Sequence, residues 1–573
     1  MAGVAALCLL LPAHMEAQTP VSLSNGFSTA TSNMTTNMAL GATWSGGQTP
    51  TNQNNVFIVF TNTTSNVSLT LTNAASNVFV ADSLWVTNMS RGNLAVTFSG
   101  AAFFTSGVEQ VNFDGAGNTT AGSTALTFSN SVTFGAMNFI GNPNGGSSQS
   151  ATLTLAGTSQ GNSLTFNGGG SEKNFLIISG TLGLTGTLTA TNINSTSFGT
   201  ISGNSTVGNV IINNATDNSF TITNSTMSIT GAVASVAGGF TLASNATVAL
   251  SGGGGLIISN VAPVLNGTLN IGNQTVTGKT NWSNNGAVAL AGGYIVGNNL
   301  TNNNGATLLG YGNLSNVVVN LGTIWATNNT LAFASNIVQG GTVTIGSGST
   351  LSLLGSGALT NIGTINLVGA GVGNNAVLNL GSAALTNLSG GTITGGGIIQ
   401  NASQVVNLSG GTILATNTTV ELQFTNANTF GNAGTIGATA GATLTFGADP
   451  GTGAGALITN FGTINLTGGT LNSGTITNLA AGTVLGFGTI ASNLVNGGIV
   501  AATNGNLVIN GTATSNGAYR AAAGASAATL TFAGGGSISA LFNTNATIQV
   551  ASVLTNTSVF ANQGTIVLAG GTY

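Results

Sequence analysis

The chain has 573 residues and only eight Asp and Glu. Among these acids, Asp82 and Glu109 are separated by about one repeat length, and Asp114 follows closely. Glycoside hydrolysis needs two carboxylates about 5 to 9.5 Å apart. If successive repeats stack, Asp82 and Glu109 fall on adjacent rungs. Asp82, Glu109 and Asp114 are therefore the candidate catalytic residues of a polysaccharide-degrading hydrolase or lyase. Against this, isolated acids in polar turns are normally just solvated, and the expectation for the chain is no enzyme. A lyase would want a basic residue beside clustered acids. Glu172-Lys173 is the one tight opposite-charge pair, and it reads as a surface turn.

Other chemistries have less material. His14 is the only histidine and Cys8 the only cysteine, and both fall in or beside an N-terminal leader. The mature chain is then expected to lack a Ser-His-Asp triad, a His-ligated metal and a disulfide. No cofactor is called for. The Gly-x-Gly pairs repeat, and no helix follows them to hold a phosphate, so they read as corners. Arg91, Lys173, Lys279 and Arg520 are all the basic residues, and the net charge is −4. No basic patch follows from these, which argues against nucleic acid as a partner. Trp44, Trp85, Trp282 and Trp325 are candidate sugar-stacking platforms, although scattered aromatics are more often core or cap. Thr-x-Thr pairs recur at Thr152/Thr154, Thr275/Thr277, Thr342/Thr344, Thr392/Thr394, Thr443/Thr445 and Thr475/Thr477. On one flat face they would make an ice- or surface-binding plane; ordinary outward Thr on strands is the favoured reading. Sequons such as Asn62, Asn66 and Asn118 arise by chance in so Asn- and Thr-rich a chain.

The elements that would position these residues are short strands. Ser68-Leu69-Thr70-Leu71-Thr72, Ala151–Leu155 and Thr443–Phe446 alternate polar with apolar, the period of a strand with one buried face. Gly, Asn and Ser clusters bound them and supply tight corners. Ala521–Ala528 is interrupted by Gly524 and reads as a loop rather than a helix. Only 2% of residues are charged, yet 42% are hydrophobic and regularly placed, which argues for order rather than disorder.

A block also recurs three times, at Gly310–Asn329, Gly395–Thr418 and Gly486–Gly505. Each copy opens on Gly-x-Gly, runs through an apolar stretch to Asn320, Asn407 or Asn496, and closes on Ala-Thr-Asn. A Gly-Thr-Ile/Val step marks the beat at Gly322, Gly341, Gly363, Gly391, Gly411, Gly434, Gly462 and Gly482, at intervals of about 19 to 28 residues. Leu359–Leu367, Ile458–Leu466 and Phe560–Leu568 are near copies about 100 residues apart. Repetition of this kind specifies stacked units that share one continuous core.

The fold class expected is all-β: a right-handed parallel β-helix, or β-solenoid, of many short strands. Each strand pairs with its equivalent one coil away, so like residues stack on like, about 4.8 Å apart. Inward Val, Ile, Leu and Phe form apolar columns, and corner Asn residues bond the Asn above and below. About 530 residues in coils of about 22 would give roughly 24 coils, on the order of 115 Å of rod. Val4–Leu11 is too short to span a bilayer and reads as the core of a signal peptide over residues 1–17. Residues 18–53, with Trp44 and Pro50, are the expected irregular N-terminal cap, and residues 54–573 the repeat region. The chain stops inside a repeat at Gly570-Gly571-Thr572-Tyr573 and is expected to continue beyond it.

The repeated GTI/GTL steps and modules resemble the long β-solenoid passengers of bacterial autotransporters and the related autotransporter-associated β-strand repeat proteins. Thr43-Trp44-Ser45-Gly46-Gly47, then Pro50 and Asn54-Asn55-Val56-Phe57-Ile58, are similar to the start of such proteins. The resemblance implies export, display at the cell surface or outer membrane, and often adhesion, with glycans or neighbouring or host cell surfaces as partners. Membrane contact would come only through a downstream anchor.

Overall fold

The computed structural model describes residues 19–22, 34–37 and 51–573, apart from 52–53, 61–65, 73–77, 89–91, 113–121, 141–149, 168–172, 192–198, 214–218, 232, 238, 260, 356–357, 372, 426–428, 448–454 and 523–526. The expected signal peptide and most of the expected cap lie outside the described residues. Fifty-five strands and no helix are found among those described. The strands pair in parallel with equivalents one coil away, forming a β-solenoid of about 19 turns. The chain divides into two compact units, Met1–Trp282 and Ser283–Tyr573.

In the first unit the inward column is apolar. Leu71, Phe98, Phe128, Leu155, Ile178, Ile201, Ile222, Leu242 and Leu265 are successive register partners. None is more than 1% exposed. The alternating polar and apolar residues read from Ala151–Leu155 put Leu153 and Leu155 inside and Thr152 and Thr154 outside. Aromatic stacking reinforces the register: Phe98 and Phe128 stack at 5.0 Å, and Phe139 and Phe166 at 4.9 Å. Two short strands, Thr19–Ser22 and Met34–Asn37, lie within the stretch expected to be an irregular cap. They pair with residues 54–57 and 69–72 as a further coil.

In the second unit the Gly-Thr-Ile beat is the coil itself. Thr323, Thr342, Thr364, Thr392, Thr412, Thr435, Thr463 and Thr483 are successive register partners. The Ile or Val after each points inward, at most 3% exposed, and each Thr points outward, half-buried by the coils above and below. The Gly-x-Gly pairs make corners. Gly310 and Gly312 have φ of 109° and 144°, and Gly486 and Gly488 have 108° and 135°. A Cβ at Gly310 or Gly486 would collide with the carbonyl of Leu290 or Leu466 one coil below.

Coil length is not the uniform value of about 22 residues expected. Measured between corner amides of the second unit it runs from 18 to 28 residues. In the first unit register partners lie as far apart as Met34 and Leu69. The Ala-rich stretch is not all loop, since Ala521 and Ala522 close the strand Ala518–Ala522.

Candidate functional site

The acids are placed as follows. Asp82 lies at a register irregularity in the strand Phe79–Asn88 and is 7% exposed. Its Oδ1 accepts a hydrogen bond of 2.6 Å from Ser106 Oγ on the next coil. Glu109 is on that next coil too, opposite Trp85. The two acids therefore occupy adjacent rungs, as their spacing implied, but are offset by three residues along the strand, on the order of 10 Å. Trp85 faces outward, between the inward Leu84 and Val86. Asp114 lies outside the described residues, as do Glu172, His14, Cys8 and Trp44. No group of three His, Cys, Asp or Glu that could hold a metal occurs among the described residues.

The tryptophans divide between roles. Trp282 is core, 2% exposed. Trp85 stacks on Phe57 at 6.1 Å and donates from Nε1 to Ser83 Oγ at 3.1 Å. Trp325 faces solvent, 48% exposed.

The Thr-x-Thr pairs do not share one face. Thr342/Thr344 and Thr392/Thr394 lie in the same two columns, with Thr364 and Asn366 between them. Thr443/Thr445 stand opposite Thr470 and Asn472 on another side, and Thr475/Thr477 opposite Leu457 and Thr459 on a third. The longer uninterrupted array is the Thr323-to-Thr483 column. It is built from the Thr of each Gly-Thr-Ile/Val step, and Thr342 and Thr392 belong to it. Of the sequons, Asn66 is described: it is exposed, and its Oδ1 accepts from the Asn93 amide at 2.9 Å.

Beneath this outer surface runs a buried polar line that holds its register. Asn284 Nδ2 donates to Asn302 Oδ1, Asn302 to Asn320, and Asn320 to Gln339 Oε1, at 2.6 to 2.8 Å. A second run links Asn361, Asn387, Asn407, Asn432, Asn460, Asn478 and Asn496, each bond 2.7 Å. All these side chains are 0% exposed. A primary amide suits the position because it carries an acceptor and two donors. One donor reaches the next amide. The other reaches backbone carbonyls, as from Asn407 to Gly411 O at 3.2 Å and Thr435 O at 3.1 Å. Asn320, Asn407 and Asn496, picked out by the recurring block, all belong to this line.

No family model matches the chain, and neither a curated protein nor a solved structure is significantly similar to it. The fold alone therefore defines the class: a β-solenoid repeat protein.

Proposed function

We propose that the chain is an exported, surface-displayed β-solenoid with a structural or adhesive role, acting through many weak contacts. One observation carries this reading. The outward Thr column presents the same hydroxyl from eight successive coils, held in register by inward Ile and Val and by the amide line. Repeated identical groups at fixed spacing suit multivalent binding, in which individually weak contacts add without any single deep pocket. The sparse charge leaves hydroxyl and amide groups to supply both solubility and contacts. Polysaccharide cleavage is the alternative, and the offset of Asp82 and Glu109 gives it less to stand on.

The test is direct. The purified chain is coupled to beads at graded density and presented to cells and to immobilised glycans. Retention that rises more steeply than coupling density supports the proposal; retention equal to that of blank beads overturns it. Incubating the same preparation with a polysaccharide panel, beside Asp82→Asn, addresses the alternative. Cleavage by the parent chain that is lost in Asp82→Asn would replace the adhesive reading with an enzymatic one.

A further inference from the structure

We propose that Tyr294, Tyr311 and Trp325 form one docking ridge for a neutral polysaccharide chain. The proposal rests on the adhesive reading above and names the ligand class of that outer surface. The three aromatics are far apart in sequence but lie on consecutive coils of the second unit. Ala287–Gly297 pairs with Thr307–Leu314, placing Tyr294 opposite Asn313 and Ala291 opposite Tyr311. Thr307–Leu314 pairs in turn with Thr323–Phe333, placing Leu309 opposite Trp325. Tyr294 lies one coil before Tyr311 and two to three residues beyond the corner, and Trp325 one coil after it and two residues short of the corner, steps of about 8 to 11 Å. Tyr294 is 47% and Trp325 48% exposed, and Tyr311 is half-buried at the corner between them.

The backbone under this line is rigid. Gly310 and Gly312 hold Tyr311 at the apex of a corner that no Cβ-bearing residue fits, because it would meet the carbonyls of Leu290 and Gly293. The same corner is built again at Gly486-Phe487-Gly488. There the positions equivalent to Tyr294 and Trp325 hold Thr470 and Ala501. A Cβ added at Gly468 or at Gly505 would touch the Phe487 ring, so that ring packs against neighbouring coils. The molecule therefore carries its own control: one corner flanked by exposed aromatics and one without.

The chemistry of the surroundings selects the ligand. No Asp, Glu, Lys or Arg occurs between Ser283 and Val420, so neither an anion nor a cation finds a charged partner there. Asn328 and Asn329 stand exposed beside the ridge, with Asn313 and Thr327 half-buried. A sugar ring offers an apolar C–H face and a rim of hydroxyls, which match aromatic faces and flanking amides. The ridge is convex, so it cannot enclose a small ligand as a cleft would. A polymer lying across it gains from all three rings.

The test uses the full chain with insoluble cellulose, chitin, xylan and mannan, and with soluble cellohexaose and chitohexaose read by tryptophan fluorescence. The parent chain is expected to bind at least one of these and to keep binding in 1 M NaCl (about a 3 Å screening length). Trp325→Ala and Tyr294→Ala should each weaken binding about tenfold (about 1.4 kcal/mol), with unchanged circular dichroism. Phe487→Ala should bind as the parent does. The proposal is overturned if the parent binds none of the probes, if both ridge variants bind as it does, or if 1 M NaCl abolishes binding. Beads that adhere to cells while every glycan probe fails would sink the ridge and leave adhesion standing. Glycan binding that the ridge variants lose, with no bead adhesion, would support the ridge and sink the adhesive reading.

Discussion

The two units solve one problem with different side chains. A parallel coil must be held against slipping along its neighbour, since a one-residue slip turns every inward side chain outward. The first unit does this with volume. Phe98, Phe104 and Phe128 interlock at ring separations of 5.0 to 6.2 Å, two contacts edge-on and one stacked. A slip would drive a ring into a space shaped for something else. Gly199 shows the same logic, because a Cβ there would sit 3.1 Å from the ring of Phe220 on the next coil. The second unit keeps one such cluster, Phe424, Phe430 and Phe446 at 4.3 to 5.8 Å, and adds direction. In each run of its amide line every Nδ2 points to the oxygen of the following coil, and a slip would leave buried donors and acceptors unpaired. Both devices tolerate coils of uneven length, but the amide line requires the same corner on every turn.

This contrast predicts where damage stays. Phe128→Ala should have the largest effect, about 4 kcal/mol, from lost transfer energy and the cavity left between Phe98 and Phe104. Hydrogen exchange should show faster opening in peptides of the first unit and unchanged protection around Asn432 and Asn460. Asn407→Leu should cost about 3 kcal/mol, because it leaves Asn432 Oδ1 without its donor and takes from Asn387 Nδ2 its shortest acceptor at once. Its exchange signature should be the mirror image, confined to coils around Thr412 and Thr435. If either variant loosened both units equally, the division into two registering devices would fall.

Much of this frame was legible in the sequence, and particular residues show why. The Gly-Thr-Ile beat was readable because each step places one Gly at a corner, one Thr outside and one Ile inside. The corner amides were readable at Asn320, Asn407 and Asn496, where the block recurs. They were harder to see at Asn361 or Asn460, which lie in the LTNIGTINL and ITNFGTINL modules, where no Ala-Thr-Asn triplet closes the coil. Coil length was legible in the second unit, where the beat's 19 to 28 residues match the 18 to 28 between corner amides, and was not legible in the first, which has no such beat. Nor was the offset of Asp82 and Glu109, which arises because register partners after Asp82 lie 24 residues apart, as Trp85 and Glu109 do, while the two acids lie 27 apart. The ridge escaped because Tyr294, Tyr311 and Trp325 meet only through strand register. The signal that would have found it is the pair Gly310-Tyr311-Gly312 and Gly486-Phe487-Gly488, an aromatic twice set in one corner.

Tyr519 sharpens the comparison from inside the second unit. It occupies the inward column between Val500 and Leu541 and is 0% exposed. Its ring meets Phe532 edge-on at 5.3 Å, so this coil borrows the first unit's device. The hydroxyl is buried without a partner. Tyr519→Phe should therefore raise stability by about 1 kcal/mol at neutral pH. Burial pushes the hydroxyl above its ordinary value of 10.0. Below that pH both folded and unfolded chains keep the proton, and the group adds no pH dependence. Above it the unfolded chain releases a proton that the folded chain retains, so stability falls as pH rises. Between pH 10 and 12 the advantage of Tyr519→Phe in urea unfolding should widen by roughly 1.4 kcal/mol per pH unit. An advantage that stayed flat across this range would show that the hydroxyl reaches water.

The smallest effect concerns the place where the amide line is interrupted. Gln339 accepts from Asn320 at 2.6 Å, but its own Nε2 turns to Gly341 O at 2.7 Å and Thr364 O at 3.2 Å. Asn361 Oδ1 on the following coil is left buried and unpaired. The extra methylene carries the Gln amide past the point from which an Asn reaches its successor. Gln339→Asn should restore the bond to Asn361, fuse the two runs, and stabilise by about 1 kcal/mol. Its clearer signature is cooperativity. Coils on either side of residue 339 should exchange their amide hydrogens as one block where the parent shows two. Gln339→Leu, by contrast, removes the acceptor used by Asn320 and should destabilise the coils before the break more than those after it. Stabilisation by Asn without merging of the exchange blocks would mean that amide continuity contributes energy but does not couple neighbouring coils.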